Sequence, residues 1–86
     1  MAEEKWSRGV RLHKGALERH GWVEHEGEES RHSALRRSVR EDGYATTIRR
    51  LGFLHNIANR EDNRHLRAVA GEDERWLRRM HDEEMI

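Results

Sequence analysis

Apolar residues along this chain recur at helical spacing in three stretches, separated by glycine or by short polar turns. In residues 30–42, Leu35 and Val39 share one face with Arg31 and Ser38, while Arg36, Arg37 and Arg40 point the other way with Ser33. Gly43 ends this first predicted helix. A second helix is predicted over 44–59, its main apolar arc built from Tyr44, Ile48, Leu51, Leu54 and Ala58, with His55 on the same arc. Phe53 and Ile57 lie on its far side. A helix apolar on two sides packs between two neighbours, or between a neighbour and a partner chain. The second helix is therefore predicted to be the central element, with Phe53 and Ile57 serving as core or interface.

Residues 59–62 read as a turn, with Asp62 as the cap of the next helix. That third helix is predicted over 63–83, with Leu66, Val69, Ala70, Trp76, Leu77 and Met80 on one stripe. Gly71 interrupts it and costs about 1 kcal/mol relative to Ala, so one continuous helix and a break into two both remain open. Before these helices, residues 14–20 suit a short helix stopped by Gly21, and Trp22 and Val23 then offer an apolar anchor. Residues 24–29 are acidic and read as a linker placed near the positive end of the first main helix. In residues 1–13, Val10 and Leu12 alternate with Arg, which suggests an extended arm. The expected architecture is all-α: an N-terminal arm over 1–13, then one domain over 14–84 with three main helices and a short preceding one.

Composition sets the limits of this picture. With 86 residues the chain allows one domain with a modest core. Charged residues at 40% outnumber hydrophobic ones at 34%, close to the point where a chain ceases to fold alone. Trp6, Trp22 and Trp76 argue for folding, since each can bury a large apolar area. Cysteine is absent, which excludes disulfides and cysteine-type zinc sites and suits an intracellular or intravirion location. No apolar run reaches transmembrane length, so no membrane role is expected.

The net charge of zero hides an uneven distribution. Residues 31–50 hold six Arg against Glu41 and Asp42, whereas residues 21–30 hold four Glu and no base. The basic residues are 15 Arg and two Lys, a bias that either follows genome composition or selects the planar guanidinium for phosphate and carboxylate. Two charges fall on otherwise apolar faces. Asp73 sits at the centre of the third helix's stripe, and Arg31 shares a face with Leu35 and Val39. A buried carboxylate needs a partner, so the expectation is that Arg31 and Asp73 meet; the alternative is that both reach solvent. His55 reads as a core histidine with one hydrogen bond.

Candidate chemistry is sparse. Among the seven His, the sequence-adjacent set His13, His20, His25 and His32 is spaced seven, five and seven apart. No pair has the four-residue spacing that puts two ligands on one helix face, so no metal site is expected. No nucleophile motif or phosphate-binding glycine loop occurs, so neither catalysis nor a cofactor is expected. Nucleic acid is the better candidate. Arg36, Arg37 and Arg40 form a basic ridge, Arg49 and Arg50 extend it, and Lys14 and Arg19 are near in sequence. The competing reading is a solvated face with internal pairs such as Arg37 with Glu41.

Several segments, taken in order, resemble a small uncharacterised family associated with large nucleocytoplasmic DNA viruses. They are K-G-A-L-E-R-H-G-W (14–22), S-R-H-S-A-L-R-R-S-V (30–39), G-Y (43–44), R-R-L (49–51) and E-D-E-R-W-L (72–77). The resemblance covers roughly residues 11–80 and departs from the family in its use of Arg for Lys and in a more acidic C-terminal end. It implies a viral or virion-associated context and no mechanism, and it makes Arg31, Leu35, Asp73 and Trp76 fold determinants. The leading expectation is a helical nucleic-acid-binding protein, chromatin-like or virion-packaged, with double-stranded DNA the favoured partner. The alternative is a structural or adaptor module that forms homo-oligomers or docks on a larger assembly, using Phe53, Ile57 and the Trp residues.

Overall fold

A computed structural model describes residues 17–86. The proposed arm over 1–13, Lys14 and the start of the short predicted helix lie outside the described residues. Within them, the chain runs through a 3-10 turn (Glu18–His20) and three helices: α1 (Glu28–Asp42), α2 (Tyr44–Arg60) and α3 (Arg64–Asp82). Among the described residues no strand occurs, and no helix is long and apolar enough to cross a membrane. The protein is a small all-α bundle, as its periodicity requires.

α2 is the middle element. It packs most extensively on α3 and also on α1, whereas α1 and α3 approach each other over a short stretch only. Leu51, Leu54 and Ala58 of α2 are buried against Ala34 and Leu35 of α1 and Leu66, Val69, Ala70 and Leu77 of α3. Leu17 and Trp22 close this core from the N-terminal side, and Val39, Tyr44, Ile48, Trp76 and Ile86 pack around it. Phe53 and Ile57 are half-buried and stand outside that cluster.

The helix boundaries are set by backbone chemistry. α1 begins at Glu28, two residues before its predicted start, because Glu28 and Glu29 sit in its first turn, where carboxylates favour the helix dipole. The acidic linker is correspondingly shorter. Gly43 alone joins α1 to α2. Its φ of 95° and ψ of 158° lie in a region that is essentially glycine's alone. Its N–H donates to the Val39 carbonyl at 2.9 Å, and its own carbonyl accepts from Thr47 N at 3.1 Å and Thr47 Oγ1 at 2.9 Å. These bonds turn the chain between the two helices within a single residue.

At the second junction the expected cap is displaced by one residue. Asn63, not Asp62, caps α3, its side chain accepting from Leu66 N at 3.0 Å. The cap position needs extended backbone, which Asn63 has, whereas Asp62 takes φ of 54° in the left-handed region. α3 then runs unbroken through Gly71, which is buried beside Ala70. Burial of the surrounding stripe offsets the poor helix propensity of glycine there. At the N-terminal side, residues 18–20 form a 3-10 turn and not an α-helix, closed by Gly21 at φ 97° with its N–H on the Glu18 carbonyl.

Candidate nucleic-acid interface and the ion pairs behind it

The nineteen-residue α3 carries Asp73 on its inward face with no exposure to solvent. Three hydrogen bonds converge on its carboxylate. Arg31 of α1 donates from Nε to Oδ2 at 2.9 Å and from Nη2 to Oδ1 at 3.1 Å. Trp22 Nε1 donates to Oδ2 at 2.8 Å. Arg31 also donates from Nη1 to the Glu26 carbonyl at 3.0 Å, and Glu72 lies 3.6 Å from Nη2. Arg31 and Asp73 thus meet in a two-pronged pair, and the Trp22 loop is tied to both. Hydrogen bonding to Asp73 holds the Arg31 guanidinium above its ordinary pKa, against the opposing effect of burial. Every partner is a structural group, and the cluster fastens the loop, α1 and α3 together.

Next to this pair, α1 grips Trp76. The His32 ring stacks on it with centroids 3.7 Å apart and planes 10° from parallel, and the Arg36 guanidinium lies 5.3 Å from the Trp76 centroid. His32 and Arg36 are four residues apart and so share a face of α1. Burial pushes the His32 imidazole below its ordinary pKa, although Asp73, 3.5 Å from Nε2, pulls it the other way.

The predicted phosphate contacts divide into separate groups. Arg36 and Arg40 are exposed and border a depression with Val39, Met85 and Ile86. Arg37 is exposed beside Arg19, and its Nη1 donates to the His20 carbonyl at 2.7 Å. Glu41 and Asp42 border the same depression and temper its positive charge. The suggested pairing of Arg37 with Glu41 does not form; Glu41 instead lies 3.4 Å from His20 Nδ1. Arg49 is exposed but lines the groove between α2 and α3, with Phe53, Glu74 and Arg78.

Arg50 corrects the sequence reading outright. It is buried and donates from Nη1 to Asp42 Oδ2 at 2.8 Å and to Ser38 Oγ at 3.2 Å. Position 50 adjoins the buried Leu51 and falls one turn after the buried Thr47, so its guanidinium turns into the α1–α2 junction. Asp42 at the end of α1 supplies the counter-charge, and hydrogen bonds from Arg50 and then from His20 hold its carboxyl below the usual range. Arg50 is therefore held inside the α1–α2 junction and does not extend the exposed basic ridge.

The remaining histidines hold less expected positions. His20 is buried, with Nε2 2.9 Å from Asp42 Oδ2. His55 is half-buried and faces Glu74, Nδ1 to Oε1 3.2 Å, so it lies at the edge of the core. His25 and His65 come together with Glu24, one donor atom of each lying within 4.8 Å of the others. Spacing along the chain gives no hint of this, because the two His are 40 residues apart and belong to different elements.

Residues 15–82 match DUF5771, a family of unknown function. The chain belongs to this family. Comparison with curated proteins and with solved structures gave no match. The family segment spans α1, α2 and α3 together with the Trp22 loop, and so includes the buried Arg31–Asp73 pair and the part-buried Arg50–Asp42 pair. Membership brings no activity with it, and the functional reading rests on the geometry.

Proposed function

We propose that this protein is a small helical nucleic-acid-binding module that grips phosphates with the outer face of α1. Arg36, Arg37 and Arg40 make the contacts, with Arg19 beside them and double-stranded DNA as the expected polyanion. One observation carries the reading. Among the described residues, none of these four guanidinium groups has a carboxylate within ion-pair distance, whereas the buried Arg31 has two and the buried Arg50 has one. Arg36 is held over Trp76 and Arg37 is held by a backbone carbonyl, so both are partly ordered before binding. Preordering lowers the entropy lost on association. The viral, virion-packaged and chromatin-like context implied by the resemblance belongs to this proposal, as does an intracellular location.

The test is binding of a short labelled duplex, measured by fluorescence anisotropy across a salt series. Three or four phosphate contacts predict a log–log salt slope of roughly −3 to −4. The triple variant Arg36→Gln/Arg37→Gln/Arg40→Gln should lose most of the affinity. The charge-matched variant Arg60→Gln/Arg64→Gln/Arg67→Gln, altered where α2 meets α3, should keep it. No binding by the folded chain at low salt rejects the proposal, and so does equal loss in both variants.

The groove between α2 and α3 favours a second reading, as a self-associating or docking module. It measures about 340 Å³ and is lined by Ile48, Arg49, Phe53 and Arg78 among others. Light scattering separates the two: a dimer or larger assembly that ignores DNA supports this reading.

A further inference from the structure

We propose that Glu24, His25 and His65 form a binding site for a divalent transition metal ion of the zinc class. This site is independent of the α1 arginine face. One donor atom from each side chain lies within 4.8 Å of the other two. Both imidazoles turn a nitrogen toward the same carboxylate oxygen: His65 Nδ1 is 2.8 Å and His25 Nε2 3.7 Å from Glu24 Oε2. Zinc holds its nitrogen and oxygen ligands at about 2.0–2.2 Å, which places neighbouring donors roughly 3.0–3.5 Å apart. Closing the site therefore takes donor shifts of about an ångström and rotation of the two rings out of their parallel stack, because each nitrogen lone pair lies in its ring plane.

The fold fixes the two halves relative to each other. Glu24 and His25 come just after Trp22, whose indole is buried and bonded to Asp73 of α3 at 2.8 Å. His65 stands in the first turn of that same helix, whose start is fixed by the Asn63 cap. The two rings lie nearly parallel, with centroids 4.5 Å apart and an angle of 12° between planes. Two imidazoles and one carboxylate suit zinc, copper or nickel over magnesium or calcium. The side chains of His25 and His65 are 75% and 53% exposed, so water has access to the remaining coordination positions. A bound ion would bridge the Trp22 loop to α3 and stabilise the fold by mass action.

The experiment is calorimetric titration of zinc chloride into the full-length chain at neutral pH, paired with thermal unfolding at matched zinc concentrations. The expected result is one ion per chain and a raised Tm. His25→Ala and His65→Gln should each weaken zinc binding more than tenfold, since even outer-shell partners commonly contribute that much. His55→Ala should bind as the parent does. His25 is largely exposed, so its removal leaves the fold intact, and circular dichroism verifies this for His65→Gln. Absence of zinc binding by the folded chain overturns the proposal. Binding within tenfold of the parent by either folded variant at position 25 or 65 does so too.

Discussion

Asp73 accepts three hydrogen bonds from two residues while fully shielded from water, and the Trp22 loop and α1 both depend on it. Removing Asp73 leaves the buried Arg31 charge with only the exposed Glu72, 3.6 Å from Nη2, as a carboxylate partner. Asp73→Ala should therefore destabilise the chain by about 3–5 kcal/mol, enough to unfold a domain of marginal stability. Urea unfolding monitored by tryptophan fluorescence measures it. The double variant Arg31→Leu/Asp73→Leu should recover much of that loss, because it removes both charges at once. A cost for Asp73→Ala below about 1 kcal/mol would mean that water reaches Arg31 and takes over its solvation. Sequence shows that each of these charges interrupts an apolar face. It does not show Trp22 as the third member, since an indole N–H carries no periodic signal. Arg50 illustrates the opposite limit: beside Arg49 in sequence the two look alike, and only one turns inward.

At the level of elements, three helices were legible because 3.6-residue periodicity and glycine stops are local signals. Their ends were less legible. Whether Asp62 or Asn63 caps α3 depends on which residue adopts extended backbone, and both types are good caps. Continuity through Gly71 was open in the sequence, since propensity argued for a break and the apolar stripe argued against one. Packing decided it. The same glycine yields a prediction. A Cβ added there would meet only the end of the flexible Arg75 side chain, at 3.7 Å. Gly71→Ala should stabilise the chain by about 0.5–1 kcal/mol through higher helix propensity and a less flexible unfolded state. Chemical denaturation would detect the shift in midpoint, and a lower midpoint would show that α2 and α3 pack too closely there for a methyl group.

At the scale of the whole molecule, stability should fall in two steps as the solution is acidified. The His32 imidazole has a lowered pKa in the fold, so the unfolded chain binds its proton more readily. Its contribution is complete above 6.5, the ordinary value, and declines as pH falls below that. Asp42 also has a lowered pKa, so its contribution is present above 3.8 and is lost as pH falls through the folded-state value. Unfolding free energies over a pH series should show the upper step flattened by His32→Asn and the lower one by Asp42→Asn. A parent profile with no decline across the imidazole range would refute the first. What the sequence alone determined is the all-α class, the middle position of α2 and the two charges misplaced on apolar faces. Each stems from residue spacing along a helix, which is a property of the chain itself. The tertiary structure alone decided which arginines stay free and which histidines meet. Arg50 was turned inward by a carboxylate on the preceding helix, and His25 was brought to His65 by a buried tryptophan. Those outcomes depend on distances between segments remote in sequence, and helical periodicity contains no information about them.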